Sequence, residues 1–108
     1  MISKMQLLCV VKLDTFSGNR YEAQLQCLNR DDAKAFVALM ENRSSINGFE
    51  VVGYHWKPAA RIEEVMGEDG VQKEFKLYND LFLTVEASDD DQATAMTNLL
   101  WDIDSVIK

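Results

Sequence analysis

The chain has 108 residues, 47% apolar and 27% charged, with eighteen acids against eleven bases and a formal net charge of −7. That length supports one self-supporting core but not two, and the apolar content argues against an intrinsically disordered chain. The acidic balance argues against direct contact with nucleic acid or an anionic membrane, which carry the same sign of charge, and points to a basic protein as partner.

Cys9 and Cys27 sit inside apolar runs with no second metal-ligand or redox partner nearby, so each is expected as a buried thiol. The opening residues, Met1 to Met5, lack the charged start and apolar run of a signal peptide. No segment reaches the ~18 apolar residues of a membrane helix, and a reducing, cytoplasmic setting is the expectation.

In chain order, residues 6–13 read as a strand apolar on both faces, with Leu7, Cys9, Val11 and Leu13 on one side and Leu8 and Val10 on the other. Turn residues follow, with Gly18-Asn19 able to take positive φ, so a hairpin leads into residues 20–28. There Tyr21, Ala23, Leu25 and Cys27 alternate with Glu22, Gln24 and Gln26, the pattern of a strand with one wet face, placed near an edge. Asn29 can cap a helix over residues 31–42. Asp31 and Asp32 suit its positive end, and Ala33, Phe36, Val37 and Met40 form its buried stripe. Asn47-Gly48 signals a turn, and Phe49 to Trp56 a third strand in which Gly53 marks a bulge or a close backbone approach.

Residues 58–66, opened by the only proline and stopped by Gly67, are expected as a short helix, with Gly67 to Gly70 a mobile loop. Residues 71–87 are long for one strand, and Asn79-Asp80 should divide them. The last helix is predicted from Ser88 onward, spanning residues 89–107, with Ala93, Met96, Leu99, Leu100, Ile103, Val106 and Ile107 on its apolar face. Asn29 to Met40 echoes Asp89 to Leu100 almost position for position, so the chain reads as duplicated ββα half-units.

The predicted architecture is a single α+β domain over residues 1–108: a two-layer sandwich with an antiparallel sheet of four or five strands and two helices on one face. Its element order is β-β-α-β-(short α)-β-α. Leu25, Phe36, Met40, Val85, Met96, Leu100 and Ile103 are the expected core.

No residue is nominated as catalytic, cofactor-binding or metal-binding. His55 is the only histidine, and its bland reading is a strand residue with a satisfied hydrogen bond rather than a general base. Asp89, Asp90 and Asp91 are consecutive, so on a helix they diverge by ~100° each and cannot converge on a cation; helix capping accounts for them. Gly67 to Gly70 is no phosphate cradle, because Glu68 and Asp69 would repel an anion. No dinucleotide-binding, Walker, nucleophile-elbow, zinc-protease or CxxC motif occurs.

Two surfaces remain. The sheet face away from the helices should carry Leu8, Val10, Val52, Tyr54, Trp56 and Phe82, an apolar patch that a second copy would cover in a homodimer; otherwise the strand phase is off by one or residues 58–66 fold over it. The polar side of the last helix should present Trp101 amid Asp90, Asp91, Asp102 and Asp104, an aromatic anchor in an acidic setting. The functional expectation is a small protein–protein interaction domain, an inhibitor or modulator that occludes a basic, nucleic-acid-binding surface of a partner, of the kind viruses and mobile elements encode. The alternative is a dimeric regulatory domain that binds a small ligand between sheet and helices or at a subunit seam. A third reading, an enzyme built on carboxylates and His55, has no constellation behind it.

Overall fold

The computed structural model describes residues 5–13, 19–70, 73–88 and 91–107. The elements run β1 (Gln6–Leu13), β2 (Arg20–Cys27), α1 (Arg30–Asn47), β3 (Phe49–Met66), β4 (Lys73–Ala87) and α2 (Gln92–Ile107). The four strands form one antiparallel sheet in the order β1-β2-β4-β3. The helices lie side by side on one face, α1 over β3 and α2 over β1. This is the α+β sandwich that the alternation and helical stripes predict, with β4 inserted between β2 and β3.

The strand order is symmetric under exchange of the two ββα halves, since β2 and β4 are central and β1 and β3 are the edges. Ala23 and Leu83, sixty positions apart, are register partners across the centre. Tyr21, Ala23, Leu25 and Cys27 alternate as buried residues along β2, and Leu81, Leu83, Val85 and Ala87 along β4. With Phe36, Met40, Leu99 and Ile103 above them, these side chains fill the space between sheet and helices. β2 is central rather than near an edge, and its wet face is the outer face of the sheet.

The repeat fails in the helices, and the failure corrects the sequence reading. α1 is capped by Asn29, whose side chain accepts from the Asp32 N–H at 2.8 Å. It ends at Gly48 in the left-handed conformation, φ 75°, beyond the expected stop. α2 is capped by Asp91, which accepts from the Ala93 N–H at 3.3 Å and the Thr94 hydroxyl at 2.6 Å. Ser88 is not the cap; its N–H and hydroxyl both donate to the Gly48 carbonyl at 2.7 Å. Asn29 and Asp91 are sixty-two positions apart, so the second helix starts two residues later than the strand repeat implies.

Those two residues turn the helix. Ala33, Val37 and Met40 of α1 correspond to Ala95, Leu99 and Asp102 of α2, and all six are buried. Leu100, expected in the core, is 38% exposed; Met96 is half-buried at the margin. Leu25, Phe36, Met40, Val85 and Ile103 are buried as expected.

Residues 58–66 are not a helix. They continue β3, and residues 61–66 pair with residues 73–78 of β4 in an unbroken antiparallel ladder from Arg61↔Tyr78 to Met66↔Lys73. Local helix propensity in Ala59 to Met66 loses to this pairing, because hydrogen-bond closure with a complementary strand is worth more than intrinsic preference. β4 likewise runs unbroken through Asn79-Asp80. The irregularity falls opposite them, between Lys57 and Arg61 of β3, where Pro58 has no N–H to give and Ala59 takes φ 51°. Gly67 and Gly70 close the hairpin through a 2.9 Å hydrogen bond from the Gly70 N–H to the Gly67 carbonyl. The turn expected around Gly18, in residues 14–18, lies outside the described residues.

Candidate interaction surfaces

The apolar patch expected on the outer sheet face is not one surface, because two bulges invert the strand phase. The register skips Leu8 between Leu7 and Cys9 and skips Val52 between Val51 and Gly53. An extra residue in one strand moves every later side chain to the opposite face. Val10 therefore shares the helix side with its partner Ala23 and packs on the core. Tyr54 and Trp56, opposite Leu83 and Leu81, also lie on the helix side; Trp56 packs on the core and Tyr54 stays half-exposed at the sheet edge.

The true outer face carries Glu22, Gln24 and Gln26 of β2, Thr84 and Glu86 of β4, and His55 and Lys57 of β3. Phe82 lies among them, half-buried, its ring 6.1 Å from that of His55. Val11 of β1, opposite Glu22 and 46% exposed, also lies here, so the face is mixed rather than the continuous apolar patch expected. Gly53 marks a bulge, as its sequence position suggested; a Cβ there would meet no atom within 4 Å, so close approach is not its reason.

The acidic helix face is also smaller than expected. Asp102 is buried, 2% exposed, and pairs with Arg43 of α1 at 3.6 Å, so it joins the helices instead of meeting a partner. Asp91 is exposed but spent on the cap, and the bonds from the Thr94 hydroxyl and the Ala93 N–H hold its carboxyl below the usual carboxylate range. It lies ten residues from Trp101, about 15 Å along the helix axis. Asp90 lies outside the described residues.

Trp101 and Asp104 keep their assigned places. Trp101 is 76% exposed. With Leu100, Thr97, Asp104 and Leu7 of β1 it lines an open groove of about 420 Å³ between α2 and the β1 edge. The contributions of Leu7 and Leu100 escape a sequence reading, since Leu100 enters the groove only through the two-residue shift of the cap.

A second surface has no counterpart in the sequence reading. The last β2–β4 pair is Cys27↔Asn79, so residues 61–66 and 73–78 extend past the sheet as a two-stranded arm and contribute to a long dimension of 54 Å against 27 and 21 Å. Its base is pinned by polar side chains. Asn79 accepts from the Ala59 N–H at 2.8 Å and donates to the carbonyls of Cys27 at 3.3 Å and Leu28 at 3.0 Å. Asp80, 5% exposed, accepts from Arg61 and, at 2.9 Å, from Gln24. One face of the arm bears Ile62, Met66, Phe75 and Leu77, exposed by 64, 64, 67 and 53%. The available signal was the alternation of Phe75 and Leu77 with Glu74 and Lys76 just after Gly67 and Gly70.

Cys27 is buried as expected, and burial, reinforced by Asp32 and Asp80, pushes its thiol up to about 12. Cys9 is exposed on edge strand β1, contrary to expectation. Among the described residues no three His, Cys, Asp or Glu side chains gather as a metal site, and no helix is long and apolar enough to cross a membrane. Comparison of this chain with family models, with curated proteins and with solved structures gives no match.

Proposed function

We propose that the chain is an acidic protein–protein interaction domain that covers a basic surface of a partner protein, with the groove between α2 and β1 as its docking surface. The observation that carries this reading is the 76% exposure of Trp101 beside Leu100 and Leu7 on an otherwise well-packed helix. A large ring left in water beside an apolar groove gains most of its burial only when a partner arrives, as interface anchors do. The net charge of −7 favours a basic surface as that partner. A surface evolved to hold nucleic acid has that charge, and occluding it would make this protein an inhibitor or modulator.

The test is affinity capture with wild-type and Trp101→Ala baits, followed by titration of the captured protein. The expected result is a basic partner whose affinity falls by at least about 30-fold on Trp101→Ala, mainly through faster dissociation. Asp104→Lys should slow association and weaken its dependence on salt. A partner whose affinity is indifferent to both substitutions would refute the assignment of this groove.

A further inference from the structure

The arm carries an inference independent of the Trp101 groove. We propose that the protein self-associates through its arms, two copies laying the faces that bear Ile62, Met66, Phe75 and Leu77 against one another about a two-fold axis.

Three observations select a second copy as the occupant. An isolated two-stranded ribbon is at best marginally stable in water, yet this one extends about 20 Å beyond the last β2 pair, at ~3.3 Å per residue, with four large apolar side chains more than half exposed. Covering an apolar face of this kind stabilises the ribbon as well as the contact.

The second observation is charge. Residues 61–66 and 73–78 hold three bases (Arg61, Lys73, Lys76) and three acids (Glu63, Glu64, Glu74), so the arm strands are neutral in a chain of net charge −7. A copy docking on the helices would bring like-charged bodies together, whereas arm-to-arm contact sets neutral surfaces face to face and keeps the acidic bodies at the ends of the assembly. The two charged residues on the apolar face, Glu64 and Lys73, already pair at 3.2 Å. Burying the face therefore strands no unpaired charge.

The third observation is area. The four apolar side chains with Glu64 and Lys73 expose about 600 Å² per copy, or about 1,200 Å² for the pair, the lower bound of specific interfaces. Contacts at this low end of the size range are typical of weak, reversible association rather than obligate dimers. A two-fold arrangement makes the contact self-complementary and closed, so assembly stops at two.

Sedimentation velocity of the full chain from about 2 to 200 µM tests this. The expected result is a monomer–dimer equilibrium for the wild type, weakened at least tenfold by Phe75→Glu and, separately, by Met66→Lys. The thermal midpoint of the monomer should not change, since both residues lie outside the core. Trp101→Ala should leave the dimer intact, which separates this interface from the partner groove. A wild type that stays monomeric over the whole range overturns the proposal. So does a dimer that survives both arm substitutions, or one that Trp101→Ala abolishes. An arm that instead docks on a different protein would appear as the first of these outcomes.

Discussion

Leu99 and Leu100 are chemically identical neighbours with opposite structural roles, and comparing their alanine variants tests the orientation of α2. Leu99 is 1% exposed within the core formed with Ile103, Leu25 and Leu83, whereas Leu100 is 38% exposed and lines the groove beside Trp101. Truncating a fully buried leucine removes its transfer energy and leaves a cavity that the surroundings only partly fill. Leu99→Ala should therefore cost about 2–5 kcal/mol. At 3 kcal/mol the Tm of a domain near this size falls by roughly 10–20 °C. Leu100→Ala removes a side chain that already meets water and leaves an open groove rather than a cavity, so about 1 kcal/mol or less is expected. Urea denaturation followed by circular dichroism should show a large shift in midpoint at unchanged slope for Leu99→Ala, and little shift for Leu100→Ala. Equal losses, or a larger loss at Leu100, would mean that the helix sits as the sixty-residue repeat implies and that the cap at Asp91 does not set its rotation.

Gly48→Ala should cost about 1 kcal/mol or more in the same assay, because Gly48 has φ +75° and an added Cβ would lie 3.0 Å from the Ser88 hydroxyl; an unchanged midpoint would contradict the left-handed cap. At pH 8 a thiol reagent should modify one cysteine per folded chain and two per unfolded chain, with peptide mapping placing the first on Cys9. Fast modification of Cys27 in the folded protein would sink that assignment. The fold favours the neutral Cys27 thiol, so this contribution to stability is present in full below the ordinary thiol value, near 9, and is lost as the pH rises towards about 12. Cys27→Ala should remove that part of the alkaline loss, and an identical alkaline profile would refute it.

Much of the fold was legible because local rules and tertiary packing agree there. The strict alternation of Tyr21 to Cys27 and of Leu81 to Ala87 needs one dry face, and the structure supplies it. Asn29 caps α1 as its side chain allows, whereas the helix runs past the expected stop to Gly48. The misplaced surfaces share one physical origin, a shift in phase. A single skipped residue at Leu8 and another at Val52 turned an expected outer patch towards the helices. Two extra residues before Asp91 turned α2 far enough to bury Asp102 and expose Leu100. Composition and periodicity report the period of an element but not an insertion that leaves the period unchanged.

The sequence by itself determined the α+β class of fold, most of the core of β2, β4 and α1, and the exposure of Trp101, because the periodicity within each element is set by residues that are neighbours along it. Only the tertiary structure decided the insertion of β4 between β2 and β3, the two bulges, the pairing of Arg43 with Asp102, and the continuation of residues 58–66 as a strand of the arm. Those outcomes depend on contacts between residues distant in the chain, where a complementary strand or an opposite charge outweighs the local preference of the segment.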